Sequence, residues 1–256
     1  MTVPALTAAR LVERLDRALD ERPALLAFDA DGTLWSGDVA EDVFGVAVRD
    51  GMLLPAAREQ LAQRARLTGL SDAGDSNALA GRLFAAYLEG AFPERDVCEV
   101  MAWCFAGWEL AALEAWADDV LSRVDLEGRL RPSLMPVLEF ARSRGVATLV
   151  VSASPGPIVR VAARRLDFVA EEVTGAEPEV QSGVLEPRLV GAVPYGADKR
   201  RLGLERIGPR RWLGSFGDSP FDHELLMAAE LAVAVAPKPG LLELLAAHPD
   251  PVVLVP

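Results

Sequence analysis

The sequence predicts an α/β fold, a doubly wound and mainly parallel sheet interrupted by an all-helical insertion. Three observations carry that expectation. Short apolar runs recur at residues 24–28, 146–151, 211–216 and 231–236, separated in the C-terminal half by helix-like stretches, as strands covered on both faces require. Residues 37–123, by contrast, keep a helical period and show no strand-like alternation. The first apolar run also stops abruptly, in Ala27-Phe28-Asp29-Ala30-Asp31-Gly32-Thr33-Leu34-Trp35. Aspartates and a glycine there end a strand and open a turn.

Each element has its own signal. Residues 5–21 space Leu6, Leu11, Val12, Leu15 and Leu19 among charges, an amphipathic helix that Pro23 ends. The strand Ala24–Phe28 comes next. Within the insertion, Gly51, Pro55, Gly69, Gly74, Gly90 and Pro93 punctuate helices expected at 39–50, 55–67, 77–89, 94–105 and 109–123. Trp103, Trp108 and Trp116 belong to their shared core. A helix at 136–144 is stopped by Gly145. The β-branched run 146–151 is the second strand, 158–166 a helix and 168–174 a third strand. Residues 180–190, broken at Gln181-Ser182-Gly183, read as a hairpin. A helix at 198–207, a fourth strand at 211–216 and a fifth at 231–236, ended by Pro237, complete the pattern.

Composition narrows the function. At 256 residues the chain is long enough for one large domain or a core with an insertion, and 51% hydrophobic with 25% charged residues is globular. The formal charge of −12 disfavours nucleic acid or an anionic membrane as partner. An anionic substrate would therefore need local cations and backbone amides. Cys98 and Cys104, at helix-like spacing in an apolar segment, are expected as buried free thiols. Neither a signal peptide nor an apolar run of the ~18–20 residues that span a bilayer is found, so a cytoplasmic protein is expected.

The acidic turn carries chemistry. Alternation along a strand places Asp29 and Asp31 on one side as the chain leaves the sheet, and Gly32 permits the turn that returns Thr33 towards them. Two crowded carboxylates at a buried strand end repel each other unless a cation lies between them, and magnesium suits oxygen ligands. One carboxylate could then attack phosphorus while its neighbour handles a proton. A solvated acidic loop is the competing reading, and the rest of the chain has to decide.

Asp29-Ala30-Asp31-Gly32-Thr33 resembles the first motif, Asp-x-Asp-x-Thr, of the haloacid dehalogenase-like superfamily. It has the phosphatase form, since the dehalogenases lack the second aspartate. Matches to the superfamily's other motifs occur in order along the chain. Ser152 stands at the end of the second strand as the second motif, although Ala153 and Ser154 replace the two glycines of many relatives. Ser154 can be read as a cap of the next helix. Lys199, in Gly196-Ala197-Asp198-Lys199, matches the third motif, and Gly217-Asp218-Ser219-Pro220-Phe221-Asp222 the acidic fourth, with Phe221 where phosphoserine-cleaving relatives often carry Asn. The helical insertion resembles the cap of the phosphoserine-phosphatase-like branch. The resemblance implies a Rossmann-like core at 1–36 and 124–256 and a cap at 37–123.

It also implies residue roles. Asp29 would be the nucleophile and Asp31 the acid–base. Asp29, the carbonyl of Asp31, and Asp218 would hold Mg2+, with Asp222 anchoring the ensemble. Ser152, Lys199 and the amide of Ala153 would steady the phosphoryl oxygens. Asp38 matches a glutamate that contacts the substrate amine in the branch, and Arg82 is the candidate for a substrate carboxylate. With Trp35, Glu41 and Asp42 nearby, phosphoserine, phosphoethanolamine or phosphocholine would suit, unless the acidic residues simply favour a helix start. The expected activity is a magnesium-dependent phosphomonoesterase. The alternatives are a phosphotransferase or mutase using the same phosphoaspartate, and a non-catalytic binding protein on the same fold. His223 and His248 receive no catalytic role.

Overall fold

The computed structural model describes residues 3–256. Its strands are β1 (Ala5–Leu6), β2 (Ala24–Phe28), β3 (Ala147–Pro155), β4 (Val173–Ala176), β5 (Pro178–Gln181), β6 (Val184–Leu189), β7 (Arg211–Gly217), β8 (Leu231–Val235) and β9 (Pro251–Leu254). Seven of them form one parallel sheet in the order β1-β9-β8-β7-β2-β3-β4, and β5 and β6 pair as a separate antiparallel hairpin. Every residue of β2 is buried. From that central strand the chain builds outward through β3 and β4, then crosses to the other side for β7, β8 and β9. The reversal opens a crevice beyond the carboxyl ends of β2, β3 and β7, where open α/β sheets bind ligands.

The helices are α1 (Ala8–Ala18), then α2 (Val39–Arg49), α3 (Arg58–Leu67), α4 (Ser76–Leu88), α5 (Glu94–Trp103) and α6 (Leu110–Arg123) between β2 and β3. After these come α7 (Leu126–Arg129), α8 (Met135–Arg144), α9 (Gly156–Ala163), α10 (Ala197–Ile207), α11 (His223–Met227) and α12 (Leu241–Leu245). None is long and apolar enough to cross a membrane among the described residues. The expected breaks hold up locally: Gly145, at φ 66°, ends α8 in the left-handed region. Asp38 caps α2 by accepting the amide of Glu41 at 2.9 Å.

The insertion does not stand apart from the sheet. One apolar cluster runs from Phe28 through Leu34 and Trp35 into Phe44, Leu83 and Trp103, and on to Val159 of α9. Trp35 is fully buried. Removing an indole of ~200 Å² from water is worth up to ~5 kcal/mol. The β5–β6 hairpin adds a polar tie: Gly107 donates to the carbonyl of Leu185 at 2.8 Å, Leu185 to that of Trp108 at 2.9 Å, and Leu110 to that of Gly183 at 2.9 Å.

Several expectations are corrected. The helix predicted over 5–21 is a two-residue strand and then α1, because Ala5 and Leu6 pair with Val253 and Leu254 of β9. That edge pairing joins opposite ends of the sequence, and β9 itself was not expected. The third strand lies at Val173–Ala176 instead of 168–174, since Ala170–Glu172 forms a 3-10 turn in which Glu172 accepts the amide of Val169. The second strand runs past residue 151 to Pro155, taking Ser152 and Ser154 into β3.

Candidate active site

The strand ends in the crevice bring distant residues together. Asp29 comes directly after β2, and its amide donates to the carbonyl of Phe216 in β7 at 2.8 Å. Lys199, in the first turn of α10, sets its Nζ 2.5 Å from Oδ1 of Asp29 and 2.5 Å from Oδ1 of Asp222. All three side chains are almost wholly shielded from solvent. The other oxygen of Asp29 accepts the hydroxyl of Thr33 at 3.1 Å. Asp222 turns its second oxygen to the amides of Asp218 and Ser219, at 3.1 and 2.9 Å, so it is fully engaged as the anchor that the sequence suggests.

Asp31 is held differently. Its Oδ1 accepts Nε1–H of Trp35 at 2.7 Å and the amide of Val39 at 2.8 Å, and its Oδ2 accepts the hydroxyl of Ser154 at 2.6 Å. Ser154 is therefore a partner of the acidic turn and makes no cap on α9, whose cap position is Pro155. The Oγ of Ser152 accepts the amide of Ser154 at 3.1 Å, ordering the end of β3. Gly32 makes the close approach possible: at φ 83°, an added Cβ would fall 2.0 Å from Oδ2 of Asp218.

A cavity of about 70 Å³ opens onto Asp29, Asp31, Ser152, Lys199 and Asp218, with Asp38 and Ala153 on its wall. The same wall includes Glu94 and Cys98 of α5, Tyr195, Phe221 and Lys238. Sequence reasoning assigned no role at the site to these last five. The position of Lys238 just beyond the carboxyl end of β8 was a signal that could have found it, but nothing local marks Glu94. Arg82 is not on the wall. Its guanidinium donates to the carbonyls of Ser71, at 3.1 Å, and Ala73, holding the loop before α4. Asp42 is taken by Arg129 at 2.7 Å. Asp38 caps α2, as the helix-start reading has it, and also lines the cavity.

The electrostatics reflect crowding of carboxylates. Burial, and then Asp222, push Asp29 well above the usual carboxylate range, against the pull of Lys199. Burial also raises Asp31, opposed first by the Ser154 hydroxyl. Asp218 is lifted to about 6 by burial and Asp222. Burial works against the charge of Lys199, yet Asp222 and Asp29 hold it protonated. The balance calls for a further cation.

Carboxylate oxygens of Asp29, Asp218 and Asp222 lie within 4.8 Å of one another. Asp222 is turned to Lys199 and two amides and does not line the cavity, whereas Asp29 and Asp218 open onto it and can offer further lone pairs to an ion. The Asp31 carboxylate accepts three donors, from Trp35, Val39 and Ser154, which leaves its carbonyl as the better placed ligand. Two carboxylates at the edge of an open cavity fit magnesium, which binds through one or two carboxylates and keeps several waters.

A carboxylate cluster at the topological switch point of a doubly wound sheet defines the class of protein: an α/β protein whose ligand site lies at the strand ends. Residues 26–227 match the sequence profile of the haloacid dehalogenase-like hydrolases, and the chain belongs to that family. Comparison with curated proteins gives no match. Among solved structures, a protein of unknown function from Bordetella pertussis Tohama I is similar over 91% of this chain and 98% of its own, at 22% identity and a TM-score of 0.66. A HAD family hydrolase from Salmonella enterica subsp. enterica serovar Typhi is similar at 16% identity and a TM-score of 0.58, covering 94% of this chain and 75% of its own. A substrate-bound phosphoserine phosphatase is similar at 14% identity and 0.54, covering 91% and 94%. At such identities the likeness establishes a shared fold.

Proposed function

We propose that this hydrolase is a magnesium-dependent phosphatase that cleaves a small-molecule phosphomonoester through a phosphorylated Asp29. The observation that carries the reading is Lys199, which sits 2.5 Å from both Asp29 and Asp222 while Asp218 closes the cluster. Asp29, Asp218 and a carbonyl of Asp31 would hold Mg2+, which when bound neutralises phosphoryl charge and orients the group. A carboxylate oxygen of Asp29 attacks phosphorus in line, and the bond to the leaving alcohol oxygen breaks. Asp31, raised by burial, supplies the proton to that oxygen. It then takes a proton from the water that attacks phosphorus and releases Asp29. Lys199 offsets the negative charge on Asp29 throughout, and in this reading the Ser152 hydroxyl and the amide of Ala153, both from the cavity wall, hold phosphoryl oxygens.

Residues 37–123 act in this reading as a cap that excludes bulk water from the phosphorylated aspartate. The cavity is small, about 70 Å³, which favours a phosphoryl group carried on a short alcohol over a bulky ester. Asp38 and Glu94 favour a cationic one, such as phosphoethanolamine, phosphocholine or phosphoserine. Activity across a panel of phosphorylated alcohols and sugars, with and without Mg2+, tests this. Magnesium-dependent release of phosphate is expected, strongest on small amino-alcohol esters and absent in folded Asp29→Asn. Wild-type turnover by freshly prepared, undeamidated Asp29→Asn would overturn it.

A further inference from the structure

The cavity has two cationic side chains on its wall, Lys199 and Lys238, and they are built in opposite ways. Lys199 is immobilised, 5% exposed and shared between two buried carboxylates. Lys238 lies on the loop after β8 with its side chain 61% exposed, while its Nζ reaches in to 3.0 Å from Oδ2 of Asp218. The carboxylate of Asp218 is 4% exposed, and among the described residues no other side chain pairs with it. The backbone holds the geometry: the amide of Lys238 donates to the carbonyl of Asp218 at 2.7 Å. The loop is thereby anchored while the four-carbon stem stays free to rotate in solvent.

We infer that Lys238 is a displaceable counter-cation for Asp218, which occupies the magnesium-binding carboxylate when the ion is out and swings away when the ion enters. Asp218 is one of the two carboxylates that open onto the cavity and can serve a divalent cation. An ammonium 3.0 Å from Oδ2 of the same carboxylate repels that ion and competes with it for the oxygen. Lys199 is locked between Asp29 and Asp222, whereas Lys238 has an exposed stem along which to withdraw. A receiver is at hand: Glu94 of α5 lines the same cavity and has no ion-pair partner among the described residues. The displaced ammonium is thus handed from the sheet to the insertion, coupling ion uptake to a contact across the cavity mouth. In the ion-free state the same lysine offsets an otherwise uncompensated buried charge. The inference rests on the fit of the carboxylates to magnesium and is independent of the reaction the site performs.

The test is calorimetric titration of the full chain, stripped of metal by chelator, with MgCl2 alone and no phosphate ester. Lys238→Met removes the competitor and is expected to bind Mg2+ about ten-fold more tightly than wild type, while Lys238→Arg stays close to wild type. Glu94→Gln removes the receiver and is expected to bind about three-fold more weakly. Melting temperatures provide a second readout: Lys238→Met should lose stability in chelator and regain the wild-type value in saturating Mg2+. Equal or weaker Mg2+ binding by folded Lys238→Met would overturn the inference, as would a wild-type chain that takes up no Mg2+. Tighter binding by Lys238→Met in a protein that hydrolyses no phosphate ester would support this inference while removing the phosphatase reading.

Discussion

Replacing Ser154 by alanine tests the assignment of Asp31 as the proton carrier. The Ser154 hydroxyl lies 2.6 Å from Oδ2 of Asp31 and is the largest influence opposing the rise that burial imposes on that carboxyl. A hydrogen bond to a charged group contributes ~1.5–3 kcal/mol. Ser154 is 5% exposed, so water is poorly placed to replace the lost donor. The bonds from Trp35 and Val39 to the other oxygen remain and keep the side chain oriented. Since ~1.4 kcal/mol corresponds to a ten-fold change in proton affinity, Asp31 should hold its proton at least about ten-fold more tightly in the variant. In the first transfer Asp31 must be protonated, so its ionisation sets the alkaline limb of kcat/KM. The assay is the profile of kcat/KM against pH for an alkyl phosphomonoester at saturating Mg2+, because an alkoxide leaving group needs the acid. Ser154→Ala should move the alkaline limb to higher pH and leave the acid limb in place. An alkaline limb that stays where it is in wild type, in a variant with normal Mg2+ affinity, would refute the role given to Asp31.

Other perturbations draw on the same geometry. Lys199→Met leaves Asp29 and Asp222 facing each other without their shared cation, which should cost ~3–5 kcal/mol in urea unfolding at neutral pH and abolish turnover. A loss under ~1 kcal/mol would show that the bridge contributes little. Gly32→Ala must accommodate a Cβ 2.0 Å from Asp218 at a φ of 83°, so Mg2+ affinity measured by calorimetry should fall while far-ultraviolet dichroism is kept. Unchanged affinity would mean that the turn relaxes freely. Asp218 is lifted in the fold, so the metal-free native state holds its proton more tightly than the unfolded chain. Its contribution to stability is complete below the ordinary carboxylate range and disappears as pH rises through about 6. Melting in chelator should therefore weaken across that interval, and the gain from added Mg2+ should grow with pH; a pH-independent gain would contradict it.

Much of the side-chain cluster at the crevice was legible in the sequence alone, because it is written in short-range terms. A buried apolar run that gives way to Asp29, Asp31 and Gly32 declares a strand end, its alternation and its turn within a few residues. Lys199 stands where a helix starts and Asp218 where a strand stops, Ser152 lies near the end of β3, and the structure brings Lys199 and Asp218 to Asp29. The specificity side was read less well. Arg82 has the right chemistry but lies on the wrong part of α4, pinned to Ser71 and Ala73. Ser154 has the sequence position of a cap and the contacts of an active-site donor.

By itself, then, the sequence determined the α/β class, the helical insertion and the carboxylates that face the crevice, since these depend on periodicity, strand ends and turn residues acting over a few positions. Only the tertiary structure decided that β1 pairs with β9, that Lys238 reaches Asp218, and that α5 supplies Glu94 to the wall. Those contacts depend on how each helix is rotated and how closely it packs. That is settled by one shared apolar core in which Trp35, Phe44 and Trp103 interlock with the sheet, and no local stretch of sequence records it.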